Sequence, residues 1–142
     1  VLSDGPEAEV TFKSAEHYKM FAFEMIPQLK NTIKVLEQVG TSRDKAWMIG
    51  YLYRFTTMFR DVVSKIDKPE LRSFVELLHD KYTTCRIRPR MMNEANILTF
   101  LTVHRWLLSL CDNLKEHGNM EKSWTEMSES FSEVQKLLTY LN

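Results

Sequence analysis

Apolar residues recur three and four positions apart through almost the whole of this chain, and only four glycines and four prolines interrupt them. That spacing is the period of an α-helix, whose residues three and four apart share a face; a strand alternates its faces every second residue. An all-α chain is therefore expected. At 142 residues it is long enough to bury a core and fits one domain over 1–142.

The punctuation suggests where helices begin and end. A short helix is expected near Pro6, and a second over 14–26 with Tyr18, Phe21 and Met25 on one face, ended or bent by Pro27. Leu29, Ile33 and Leu36 suggest a brief helix stopped by Gly40. Thr41 with Asp44 resembles a capping pair opening a helix over 42–66. On that helix Trp47, Tyr51, Met58 and Val62 form one apolar edge and Met48, Leu52, Phe59 and Val63 the other, so it is expected to be deeply embedded. Asp67 with Glu70 forms a second capping pair, and Pro69 suits a first helical turn. Pro89 is expected to open a central helix reaching Lys115, stopped by Gly118. The last helix carries Trp124, Met127, Phe131, Val134, Leu138 and Leu141 as one stripe, suited to antiparallel packing on its predecessor.

Nineteen basic and nineteen acidic residues cancel, which argues against a nucleic-acid partner. No apolar run approaches the ~20 residues of a spanning helix. A chain beginning at Val1 leaves room for a cleaved leader, so the compartment stays open, with the cytoplasm favoured. A homo-oligomer stays open too. Cys85 and Cys111 lack metal-ligand spacing, and free buried thiols are the default. The short catalytic signatures are absent, which weakens any enzyme reading: there is no zinc-protease helix, phosphate loop or nucleophile elbow. Glu129 and Glu133 share a solvated face.

Two histidines carry the interest. His104 shares a face with Ile97, Leu101 and Leu108, which reads as a hydrogen-bonded core histidine. His79 sits at the edge of the stripe Leu71, Val75 and Leu78, where an imidazole can look sideways into an apolar space and ligate a metal, or simply bond a neighbouring helix.

Phe23-Glu24-Met25-Ile26-Pro27, Leu78-His79, Ile87-Arg88-Pro89 and Lys122-Ser123-Trp124, in that chain order, resemble the globin family over most of the chain, most strongly from Arg43 into the helix after Pro89. The resemblance implies a globin-like bundle of about six to eight helices with His79 as proximal ligand of a non-covalent haem b. Ile33, Trp47, Tyr51, Val75, Leu78, Met92 and Ile97 would line the slot, and Arg86 and Arg88 would face the propionates. The second imidazole nitrogen would donate to a carbonyl. Ile33 replaces the family's phenylalanine, Lys19 an apolar or tyrosine residue, and Trp47 and Tyr51 occupy the distal helix without a histidine. Binding of O2, NO or CO, or cycling of the iron, then suits sensing or redox work better than bulk transport. Two other readings compete. One is a haem-less helical module holding an apolar ligand or a protein partner, for which eight methionines provide adaptable packing. The other is a secreted helical signalling bundle with Cys85 and Cys111 bridged.

Overall fold

The computed structural model describes residues 15–142, and the helix expected near Pro6 lies outside them. The described chain is all-α: α1 (Ala15–Val39), α2 (Lys45–Val63), α3 (Pro69–Ile87), a 3-10 turn (Pro89–Met91), α4 (Glu94–His117) and α5 (Met120–Thr139).

Pro27 neither ends nor bends the chain into two helices; α1 runs through it. The proline lies on the exposed face, where water can take the carbonyl it leaves unbonded, while Met25, Ile26 and Leu29 on either side are buried. Burial along the whole of α1 thus outweighs the local cost. Antiparallel packing on α4 supplies that burial: Phe23 meets Lys115, Thr32 meets His104, and Glu37 meets Arg105.

Helix caps depart from the sequence expectations, although Pro69 stands in the first turn of α3 as expected. Asp44, not Thr41, caps α2, its Oδ1 accepting from the Trp47 amide at 3.2 Å. At α3 the residue before Pro69 is Lys68, which caps with no side chain, so the Asp67–Glu70 pair is not used. Pro89 opens only the 3-10 turn, and α4 begins after Asn93, whose side chain accepts from the Asn96 amide at 2.9 Å. Gly118 ends α4 as expected, with φ of 64° in the left-handed region. Gly40 ends α1 without that conformation, since Gly118 is the positive-φ glycine among the described residues.

α2 and α3 form an antiparallel hairpin. Arg60 meets Glu76, Thr56 meets His79, and Tyr53 meets Arg86 as the chains run opposite ways. The buried stripe of α2 is Ile49, Leu52, Phe55, Thr56, Phe59 and Val63. Of the expected Trp47 edge, Trp47 itself faces outward at 56% exposed, whereas Met58 and Val62 are partly buried against the core. α5 lies antiparallel on α4, as its stripe suggests, with Trp106 donating to Ser130 and Asn96 to the carbonyl of Asn142. Phe74, Trp106, Trp124 and Phe131 interlock edge-to-face or tilted between α3, α4 and α5. Such ring pairs add roughly 0.5–1.5 kcal/mol each beyond the area they bury. No described helix is long and apolar enough to cross a membrane.

Candidate functional site

Both expected histidines are held by threonines that fix their protonation. Thr32 donates its hydroxyl hydrogen to the Leu29 carbonyl at 2.8 Å, so it can only accept from His104 Nδ1, also at 2.8 Å. Nε2 of His104 is then the unprotonated nitrogen and accepts from the Tyr82 hydroxyl at 2.7 Å. A single hydrogen-bonded chain thereby joins α1, α4 and α3 through the centre of the bundle. Burial lowers the His104 pKa to about 3, which keeps the ring neutral. This is the core histidine that the sequence indicates.

His79 repeats the device nearer the surface. Thr56 donates to the Tyr53 carbonyl at 2.9 Å and accepts from His79 Nδ1 at 3.0 Å. The lone pair of His79 therefore sits on Nε2, and the ring lies against Tyr53 with centroids 5.0 Å apart. Burial, then the Arg60 charge, lowers its pKa, while Glu76 and Asp80 act in the opposite sense.

The residues expected around a haem do not converge on His79. Val75 and Leu78 point into the closed core and are fully buried. Trp47 and Tyr51 stack on each other at 6.0 Å along the outer edge of α2. Ile33 is a partly buried flank of α1, Arg86 lies over the Tyr53 ring at 4.2 Å, and Arg88 is an exposed residue ending α3. The two helices that would wall a macrocycle touch directly, bridged by the Thr56–His79 hydrogen bond. A planar group of haem size requires a slot between them, and these side chains as placed do not fit one. The imidazole donates to a hydroxyl across the hairpin instead of a carbonyl, and among the described residues no group of three or more His, Cys, Asp or Glu is placed to hold a metal ion. Cys85 and Cys111 are free, buried thiols, not a bridge.

Met92 and Ile97 do line a cavity, but a different one. Between the end of α1 and the first half of α4 lies a groove of about 530 Å³, open to solvent on one side. Its floor is Leu36, Met92, Ile97 and Leu101, all buried in the core, and Leu98 stands on its rim 59% exposed. Gly40 borders it: a Cβ there would lie 3.3 Å from Ile97 Cδ1, so a larger residue would press on the end of the Ile97 side chain. Lys45, Glu94 and the Glu37–Arg105 ion pair, 3.3 Å, surround the mouth.

A second groove between α4 and α5, about 680 Å³, is larger but chemically poorer. Of its apolar members Leu137 and Tyr140 are 48% and 79% exposed while Leu141 is buried, and Asn96 contributes polar floor by bonding the Met91 and Asn142 carbonyls. The α1–α4 groove is therefore the better candidate, because its apolar surface is recessed.

Sequence reasoning missed Leu36, Gly40, Lys45, Leu98, Leu101 and Arg105 as site residues. One signal was present: apolar residues surround the first half of α4 on all sides, more than its neighbours cover. No family model, no curated protein and no solved structure matches the chain.

Proposed function

We propose that the protein is a haem-free helical binding module that holds a small apolar molecule in the groove between α1 and α4. One observation carries the reading: a recessed apolar floor, Leu36, Met92, Ile97 and Leu101, under an open mouth with an exposed leucine at its edge. Its volume falls within the roughly 300–1,000 Å³ of small-molecule sites. A recessed apolar floor of this size suits a small molecule, whereas a partner helix would need a row of apolar positions along a longer track. Nothing at the groove supplies a nucleophile beside a base, so the reading is binding and not catalysis.

The test is fluorescence of an uncharged polarity-sensitive dye, Nile red, titrated with protein. Wild type should raise the emission saturably. Leu101→Trp, which fills the groove, should abolish the effect, while Leu137→Trp on the α4–α5 side should not. Equal responses from both variants, or no response from wild type, would refute the groove. The haem reading is checked alongside by adding haemin: a sharp Soret band lost in His79→Ala would replace this proposal with the globin one.

A further inference from the structure

The mouth of the groove is chemically uneven. Arg105 is already neutralised by Glu37 at 3.3 Å. Lys45, half-buried at the rim, takes part in no ion pair among the described residues. Glu94 also lies at the rim, but it is the first residue of α4, where the partial positive charge of the helix terminus offsets its carboxylate. Among the described residues at the mouth, Lys45 is thus the cation without an ion-pair partner.

From the groove reading above we infer that the ligand is an amphipathic carboxylate with an alkyl chain, its tail on Leu36, Met92, Ile97 and Leu101 and its head at Lys45. The floor has apolar side chains alone, so a chain without polar atoms loses no hydrogen bond on entering it. A carboxylate at the mouth stays partly solvated while gaining a charge-assisted hydrogen bond from the Lys45 amine.

The experiment displaces Nile red with dodecanoate or dodecanol, which share a chain and differ in head charge. Wild type should prefer dodecanoate by roughly two- to fivefold, the scale of one partly solvated ion pair. Lys45→Gln should remove the preference and Lys45→Arg should keep it, with circular dichroism confirming that each variant is folded. Equal displacement by both molecules in wild type and Lys45→Gln would overturn the carboxylate while leaving the groove reading intact. Failure of both to displace the dye would overturn the groove reading with it. Loss of the preference in Arg105→Gln but not in Lys45→Gln would overturn the assignment to Lys45.

Discussion

His104 shows how one residue ties sequence to stability. Its ring accepts from Tyr82 and donates to Thr32, so three helices share one neutral imidazole. An unfolded chain protonates that ring near its ordinary value of 6.5, whereas the folded pKa is about 3. The unfolded state therefore holds the extra proton between those values, and stability falls as pH drops through that window, by at most ~1.4 kcal/mol per pH unit from this group. Urea midpoints at about pH 7 and pH 4.5 should diverge more in wild type than in His104→Gln; an unchanged difference would mean that the ring is not the buried neutral base described. Gly118 offers a second residue-scale check. At φ 64° any Cβ is strained, and one there would also sit 3.0 Å from the Ala15 Cβ. Gly118→Ala should cost roughly 1–2 kcal/mol, read as a Tm lower by several degrees.

At the scale of elements, burial overrules local signals. Pro27 lies inside α1 on its exposed face, held there by packing on α4, so Pro27→Ala should raise stability by roughly 1–3 kcal/mol in denaturant melts. Asn93→Ala should lower it by about 0.5–2 kcal/mol, because the α4 cap would be lost. The same competition explains what was legible. The helical period, the Gly118 stop and the α5 stripe could be read directly, since each depends on neighbours in sequence. The continuous α1 could not, because its support comes from residues as distant as Lys115. On α2 the expected edge of Leu52, Phe59 and Val63 is buried, but Trp47 is not: it is large and apolar, yet Ile49, Leu52 and Thr56 share the face turned toward α3 and the core. Of the candidate site, Met92 and Ile97 were marked from sequence, though for a different cavity. His79 was marked as a chemistry-bearing residue, yet its orientation depends on Thr56, twenty-three positions away.

Taken whole, the molecule is a bundle in which α4 touches both α1 and α5 and α2 closes on α3. The closed α2–α3 hairpin and the open α1–α4 groove lie at separate places, and that separation is the substance of the functional proposal. Burial also seals both thiols, pushing Cys85 up to about 11 and Cys111 up to about 12. A thiol reagent should therefore find neither cysteine in folded protein and two after denaturation; no free thiol after unfolding without reductant would reinstate a bridged bundle. The most direct measurement of the central claim is a methyl NMR titration with dodecanol, following isoleucine, leucine and valine signals. Shifts confined to Leu36, Ile97, Leu98 and Leu101 are expected, with Val75 and Leu78 unmoved. Shifts centred on Val75 and Leu78 beside His79, with the α1–α4 methyls silent, would contradict it.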